Sequence, residues 1–174
     1  MRAYSKSQRG FNLMELMATV AVLGILLGIA VPSFKETMRN NRLIAQNNEL
    51  VSGLNLARSE ALKMSGPVTV CASTDGAGCS GATTWTTGWI VFSDQNANGT
   101  FDGDPEVILR SQGAAQPEFT ITATRSFVRF AGTGTAPSGI ENFQLVRTGC
   151  TGLKARRINV SVVGRVSTTT VACP

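Results

Sequence analysis

Hydrophobic and polar positions divide the chain into three stretches, of which the first is an unbroken apolar run. Nineteen consecutive residues from Leu16 to Phe34 carry no charge, and this run is bounded by Glu15 and Lys35. A helix that rises ~1.5 Å per residue would cross most of a ~30 Å hydrocarbon layer over this length. The first stretch therefore predicts a membrane-spanning helix.

The second stretch has apolar side chains at helical spacing. They recur at intervals of seven, four, three and four residues, which places them on one face of a helix. Their positions are Leu43, Leu50, Leu54, Ala57 and Ala61. We predict one helix from Asn12 to about Met64, whose second half lies on a sheet, and the sequence Ser65-Gly66-Pro67 is expected to end it.

The third stretch consists of short apolar runs separated by Gly, Asp, Asn and Ser, which is typical of a β-rich domain. The predicted strands are Val68–Cys71, Trp85–Phe92, Glu106–Arg110, Phe119–Thr124, Ser126–Phe130, Asn142–Val146, Arg157–Val163 and Arg165–Ala172. Ile158, Val160 and Val162 alternate and are predicted to share one side of the seventh strand. Trp85 and Trp89 are expected in the core.

Glu15 is the unusual residue of the N-terminal helix. A carboxylate costs about 2.5 kcal/mol or more if it lies deep in a membrane, so an intramembrane acid is usually functional and needs a positive partner. A neighbouring subunit or a newly exposed N-terminal amine could supply that charge. The alternative is a signal peptide or plain anchor with a tolerated acid, although Pro32-Ser33-Phe34-Lys35 does not resemble a signal-peptidase site.

The residues around Glu15 resemble the processing motif of type IV prepilins. That motif has a short basic leader, a Gly before the cleavage site, a Phe as first mature residue and a Glu at the fifth mature position. Here the leader contains Arg2, Lys6 and Arg9, and Gly10, Phe11 and Glu15 follow. The resemblance implies cleavage after Gly10 by a prepilin peptidase, methylation of the Phe11 amine, and pairing of Glu15 with a neighbour's N-terminus.

The β-rich stretch resembles the globular domain of minor pilins and pseudopilins of the GspH/FimT/FimU family. The matching segments are Gly88–Phe92, Asp94–Gly99, Val107–Arg110, Phe130 with Gly134, and Ile158–Val166. The resemblance implies the α+β type IV pilin fold, in which a long, partly transmembrane N-terminal helix packs on a C-terminal antiparallel β-sheet domain. The expected parts are a leader (residues 1–10), a transmembrane or filament-core segment (11–34), an amphipathic helical segment (35–64) and the globular domain (65–174).

Composition fits one globular domain beyond the anchor. The chain has 174 residues, 43% of them hydrophobic, and a formal net charge of +5. Without the leader it keeps 13 basic and 11 acidic residues, a net charge of +2. Residues 64–109 contain five acidic residues and no basic one, whereas residues 110–174 contain eight basic and two acidic ones. We therefore expect an acidic face and a basic face on the domain.

Four cysteines lie in the part of the chain that would be exported: Cys71, Cys79, Cys150 and Cys173. In an oxidising compartment this number predicts two disulfides, with three connectivities to choose from. We favour Cys71 with Cys79 and Cys150 with Cys173, because each pair brackets a loop or a terminal strand. A zinc site is the alternative, but the spacings form no paired C-x-x-C units and the chain contains no histidine.

The segment Asp94–Asp102 has oxygen-bearing side chains at alternate positions, as in the first part of a calcium loop. Asp94, Asn96, Asn98 and Asp102 are the candidate ligands. The twelfth position is Pro105, so the usual bidentate acid is missing there. We favour an Asx-rich hairpin loop over a metal site, and we expect no cofactor.

A basic group near the C-terminus could bind DNA phosphates: Lys154, Arg156, Arg157 and Arg165. FimT-type pilins resemble this arrangement, with a Gly-Arg-x-Arg motif, but here the segment is Gly164-Arg165-Val166-Ser167. The alternatives are a solvated strand face or a surface that docks on the acidic face of another pilin.

The sequence favours a structural protein over an enzyme, because no nucleophile and base pair stands out. We expect a minor type IV pilin that inserts at or near the pilus tip and supports assembly, twitching motility or adhesion. The alternatives are a FimT-like pilin that binds double-stranded DNA during natural transformation and a GspH-like pseudopilin of type II secretion. Expected partners are major and minor pilins, the prepilin peptidase and the inner membrane, with a periplasmic C-terminal domain before assembly and a place in the cell-surface fibre afterwards.

Overall fold

A computed structural model describes residue 10, residues 12–152 and residues 154–174. In this part of the chain, one helix is followed by eight strands. The helix α1 spans Leu13–Met64, in close agreement with the predicted helix. The strands are β1 (Val68–Ala72), β2 (Trp89–Ser93), β3 (Ile108–Gln112), β4 (Phe119–Ala123), β5 (Phe127–Phe130), β6 (Glu141–Arg147), β7 (Ala155–Val160) and β8 (Val166–Val171). The chain divides into two compact units, with the boundary between Arg42 and Leu43.

The N-terminal unit is the first part of α1, and its start is capped by Asn12. The Asn12 side-chain oxygen accepts a hydrogen bond from the Met14 N–H at 3.4 Å, and its carbonyl accepts from the Leu16 N–H at 3.1 Å. Polar caps of this kind satisfy N–H groups that have no partner within the helix. By its length and composition, the following segment is long and apolar enough to cross a membrane.

The C-terminal unit begins with the second part of α1, whose predicted apolar face is confirmed. Its five side chains are at most 4% exposed: Leu43, Leu50, Leu54, Ala57 and Ala61. The helix ends in a Schellman motif, in which Ser65 adopts a positive φ of 50°. The Gly66 N–H donates to the Ala61 carbonyl at 3.2 Å, and the Ser65 N–H donates to the Leu62 carbonyl at 3.4 Å.

Two antiparallel four-stranded sheets pack with this part of α1. The first has the order β3-β2-β1-β5 and the second β4-β6-β7-β8. Strands β1 and β2 are buried on both faces. The main core lies between α1 and the sheets, where Trp85 meets Phe143 edge to face at 4.8 Å between ring centroids. A smaller cluster of Cys71, Ile90 and Phe92 lies on the other face of the first sheet, against Phe101 and Phe127.

All eight predicted strands are present, but β2 and β3 begin later than expected. β2 begins at Trp89 because Trp85 bonds to a strand of the other sheet, its N–H donating to the carbonyl of Ile121 in β4 at 2.8 Å. A turn then closes with the Gly88 N–H donating to the Trp85 carbonyl. β3 begins at Ile108 because Glu106 lies in another turn, its N–H donating to the Gly103 carbonyl at 2.7 Å.

The prediction that Val162 lies on the same side of the seventh strand as Ile158 and Val160 is wrong. β7 ends at Val160. The Gly164 N–H then donates to the Ser161 carbonyl at 2.8 Å, and the Ser161 N–H donates to the Arg165 carbonyl at 3.0 Å. Val162 therefore lies in the turn between β7 and β8 and is exposed.

Candidate functional site

Glu15 lies in the first turn of α1, where sequence analysis placed the assembly residue. Its N–H donates to the Asn12 carbonyl at 3.0 Å, and its side chain is exposed. A carboxylate at this point interacts favourably with the positive end of the helix dipole. The helix surface that follows it contains no other charge and is formed by Ala18, Thr19, Val22, Leu23 and Leu26.

The predicted processing residues stand just before α1. Gly10 is exposed. The leader residues 1–9 and Phe11 lie outside the described residues, so cleavage after Gly10 and methylation of Phe11 remain predictions from the motif.

Both disulfides have the connectivity that sequence analysis favoured. Cys71 at the end of β1 is bonded to Cys79, with a sequence separation of 8. Cys150, in the connection between β6 and β7, is bonded to Cys173 beyond β8, with a separation of 23. The Cys173 N–H also donates to the Gly152 carbonyl at 2.9 Å. The disulfides thus fix a long loop and the C-terminal segment to the sheets.

The Asp94–Asp102 segment forms an Asx-rich loop whose side chains bond to the loop itself. The buried Asp94 carboxylate accepts from the Thr69 hydroxyl at 2.7 Å and from the N–H groups of Asn98 and Gly99, each at 3.0 Å. The Asn96 and Asn98 oxygens accept from backbone N–H groups two residues on. These bonds stabilise the loop in the way expected of an Asx-rich segment.

The Asp102 carboxylate completes this loop on its exposed side. It accepts from the side-chain amides of Asn96 at 2.9 Å and Asn98 at 2.7 Å. These hydrogen bonds lower the pKa of Asp102 below its usual range, since they favour the charged form. A second exposed acid, Asp75, has a pKa lowered mainly by the backbone N–H groups of Ala77 and Gly78.

The four basic residues considered for DNA binding do not form one cluster. Arg156 and Arg157 are neighbours on β7 and therefore point to opposite faces of the second sheet. Arg157 is exposed and lies opposite Gln144 of β6 and Thr169 of β8 in the strand register. Arg156 lies on the other face, where it donates a hydrogen bond to the Thr170 hydroxyl. Lys154 precedes β7 and Arg165 follows its far end.

Arg58, which no sequence pattern singled out, joins elements of both sheets. Its Nε donates to the Gly134 carbonyl at 3.0 Å, and its Nη2 donates to the Val163 carbonyl at 3.1 Å. Gly134 lies in the loop after β5, and Val163 lies in the turn between β7 and β8. An arginine on the same helix face as buried Leu54 and Ala61 was the available signal, but its partners are backbone atoms that no sequence pattern indicates.

Sequence comparisons place this fold among pilin-like proteins. The family model described as type II transport protein GspH matches residues 46–164, and the model of the prokaryotic N-terminal methylation motif matches residues 5–31. Pilin-like protein PilA1 of Thermus thermophilus is 33% identical over 102 residues, which are 58% of this chain and 57% of that protein. A fimbrial protein of Pseudomonas aeruginosa is 39% identical over 57 residues, 33% of this chain and 36% of its own length. The matched segments thus span 57% of the length of PilA1 and 36% of the length of the fimbrial protein.

Solved structures confirm the predicted type IV pilin fold. The type IV minor pilin FimU of Pseudomonas aeruginosa aligns with a TM-score of 0.60 at 20% identity, covering 76% of this chain and 92% of FimU. The minor pseudopilin EpsH from the type 2 secretion system of Vibrio cholerae aligns with a TM-score of 0.52 at 10% identity, covering 74% of this chain and 97% of EpsH. At such identities the likeness concerns the fold alone.

Proposed function

Because this chain belongs to the GspH family of pilin-like proteins, we propose that it is a minor type IV pilin that inserts at or near the tip of a pilus and supports its assembly. Pilins and pseudopilins are structural proteins, so the proposed activity is subunit assembly and not catalysis. The expected partners are other major and minor pilins and the prepilin peptidase.

The observation that carries the proposal is the uncovered apolar surface of the N-terminal unit. Its large hydrophobic side chains from Leu13 to Phe34 are exposed all around the helix. Apolar surface of this extent needs a membrane or other helices to cover it. The same segment would meet the membrane before assembly and the helices of neighbouring pilins afterwards.

Processing would supply the positive partner of Glu15. In the proposed order of events, the peptidase removes residues 1–10, residues 11–34 remain in the inner membrane, and residues 35–64 continue the helix into the periplasmic domain of residues 65–174. Each subunit then begins with the Phe11 amine. The carboxylate of Glu15 in one subunit would pair with the Phe11 amine of its neighbour and so set the depth of insertion.

The test compares Glu15→Ala with Glu49→Ala, which removes a carboxylate from the C-terminal part of the same helix. We expect Glu15→Ala to reduce the amount of the chain in sheared fibres at least tenfold while its amount in the membrane stays the same. Glu49→Ala should leave both amounts unchanged. Normal incorporation of the Glu15→Ala protein would contradict the proposed role.

A second candidate function is that of a minor pseudopilin in type II secretion. It is favoured by the matching family model, whose description is a type II transport protein. Deletion of the gene distinguishes the two functions. Loss of twitching motility with intact protein secretion supports the pilus, and loss of secretion with intact motility supports the secretion system.

A further inference from the structure

Most of the exposed large hydrophobic side chains of the C-terminal unit lie at one end. Among the described residues from Leu43 onward, seven such side chains are at least 36% exposed. Five of them lie on segments that meet where α1 terminates, and we call them the apolar end surface: Leu62, Met64, Val107, Val162 and Val163. Of the other two, Ile44 lies at the start of the unit and Ile140 lies directly before β6. Single exposed apolar residues are ordinary, but their concentration at one end indicates an interaction site.

Backbone contacts hold the segments of this end together. The Asp94 N–H donates to the Pro67 carbonyl at 3.0 Å, just beyond the end of α1, and the Ser93 N–H donates to the Val107 carbonyl at 3.0 Å. On the other side, the Ala136 N–H donates to the Val162 carbonyl at 2.8 Å. Arg58 reaches the turn that contains Val162 and Val163. The exposed apolar side chains are thus presented by loops with fixed backbones.

Opposite charges flank the apolar end surface on its two sides. Asp102 and Asp104 are exposed in the loop that leads to Val107. Arg165 is exposed directly after the turn that carries Val163. A partner that covers the apolar side chains would therefore meet an acidic edge on one side and a basic edge on the other.

We propose that the apolar end surface binds the globular domain of a different pilin-family subunit. That subunit would present apolar side chains, a basic residue opposite Asp102 and Asp104, and an acidic residue opposite Arg165. A head-to-tail contact between copies of this chain would need a matching apolar surface elsewhere on the unit. Among the described residues of the unit, the other exposed large hydrophobics are Ile44 and Ile140, single residues in separate segments that supply no such surface.

This inference rests on the proposed function, because it identifies where a neighbouring pilin binds. The test uses the full chain in the strain that produces it, with the photo-crosslinker benzoylphenylalanine in place of Val163 or, separately, Val107. The matched control carries the photo-crosslinker in place of Thr169. This residue is exposed on β8, the strand that follows the turn with Val162 and Val163. Crosslinked products are identified by mass spectrometry, and the chain is quantified in sheared fibres by immunoblot.

We expect both probes in the apolar end surface to crosslink to a pilin-family protein of different sequence, with at least fivefold higher yield than the Thr169 control. Arg165→Glu should reduce the yield from Val163 at least threefold. Arg165 is exposed and lies at the opposite end of the β7–β8 hairpin from the Cys150–Cys173 disulfide, so the disulfide can serve as a folding control. The mobility of the oxidised protein on a non-reducing gel shows whether the variant has folded correctly.

Two outcomes would overturn the inference while leaving the proposed function intact. In one, the chain is present in fibres but neither probe yields more product than the Thr169 control. In the other, the only product is a crosslink between two copies of this chain. A different result would count against the proposed function itself. In that result, the chain whose apolar end surface is unchanged is found neither in fibres nor in crosslinked products.

Discussion

Arg58 Nε donates a hydrogen bond to the carbonyl of Gly134 at 3.0 Å, across 76 residues of sequence. The same guanidinium bonds to the Val163 carbonyl at 3.1 Å. One helical side chain therefore connects the loop after β5, in the first sheet, to the turn between β7 and β8, in the second. The planar guanidinium suits this arrangement because it can donate to two carbonyls at once.

Arg58→Met should destabilise the C-terminal unit by about 2 kcal/mol, since two charge-assisted hydrogen bonds are lost while the apolar stem is kept. Urea unfolding of residues 40–174 measures the change. Lys63→Met is the control, because the Lys63 side chain is 74% exposed and pairs with Glu60 at 3.3 Å. An exposed pair of this kind contributes roughly 0 to 1 kcal/mol. Equal stability of Arg58→Met and wild type would show that the two hydrogen bonds contribute nothing.

Gly164→Ala should be more disruptive than Gly149→Ala. Both glycines have positive φ, 77° and 71°, so both substitutions carry a similar backbone cost of about 1 kcal/mol. A Cβ at Gly164 would overlap the Gly134 oxygen, whereas a Cβ at Gly149 would have no neighbour within 4 Å. We expect Gly164→Ala to lower the free energy of unfolding by at least 2 kcal/mol more than Gly149→Ala. Similar losses for the two variants would show that the turn can move away from Gly134.

Most of the fold could be predicted from the sequence because periodicity records burial. The helix was predicted from the apolar face between Leu43 and Ala61. All eight strands were predicted from the short apolar runs beyond Pro67. The errors occurred at element ends. Trp85 is apolar and β-prone like its neighbours, yet it bonds to Ile121 of the second sheet. Val162 continues an alternating pattern that the turn at Gly164 interrupts.

The site was predictable only in part, because contacts distant in sequence decide it. Side-chain spacing indicated the Asx-rich loop, and the cysteine positions favoured the observed pairing. Arg58 donates hydrogen bonds to backbone carbonyls of loops that are distant in sequence. Such bonds cannot be predicted from the residue types involved, because every residue has a backbone carbonyl. The separation of Arg156 from Arg157 could have been predicted, since neighbouring residues on a strand face opposite sides of a sheet.

Because of the Asx-rich loop, the free energy of unfolding should depend on pH in the acidic range. The hydrogen bonds from Asn96 and Asn98 lower the pKa of Asp102 in the folded state, and an unfolded Asp has a pKa of about 3.9. The stabilisation is therefore present above about pH 4 and is lost as the pH falls through the folded pKa. We expect Asp102→Asn to lower stability at pH 6 but to make the loss between pH 5 and pH 2.5 smaller than in wild type. The comparison uses urea unfolding, with Asp104→Asn as a control from the same loop. An identical pH dependence of Asp102→Asn and wild type would contradict this prediction.

Removing the C-terminal disulfide should lower stability without changing the fold. Cys150 and Cys173 close a loop with a sequence separation of 23, for which chain entropy predicts about 3.5 kcal/mol. We expect the Cys150→Ser, Cys173→Ser variant to lose roughly 3 kcal/mol. The Cys71→Ala, Cys79→Ala variant serves as comparison. Its smaller loop, of separation 8, gives a smaller entropic loss, to which the packing of buried Cys71 against Ile90 and Phe92 adds. An unchanged unfolding midpoint in the first variant would be inconsistent with this role.

DNA binding by the C-terminal unit should be weak and only slightly dependent on salt. Each phosphate contact contributes about −0.9 to the slope of log K against log salt, so four contacts would give a slope near −3.6. Arg156 and Arg157 face opposite sides of the second sheet, and Lys154 and Arg165 are separated by the length of β7, about 20 Å at ~3.3 Å per residue. One face can therefore present one or two of these charges to a duplex, and we expect a slope between about −1 and −2.

The measurement is a salt series of binding between residues 40–174, with intact disulfides, and a double-stranded DNA. Arg157→Gln should reduce the slope by about 1 because it removes the exposed charge. Arg156→Gln is the control, since that side chain bonds to Thr170 on the other face. A slope near −3.6 that falls in both variants would mean that the basic residues act together, and it would move the function towards DNA uptake. A shallow slope leaves Arg157 and Arg165 as charges for contacts between pilins.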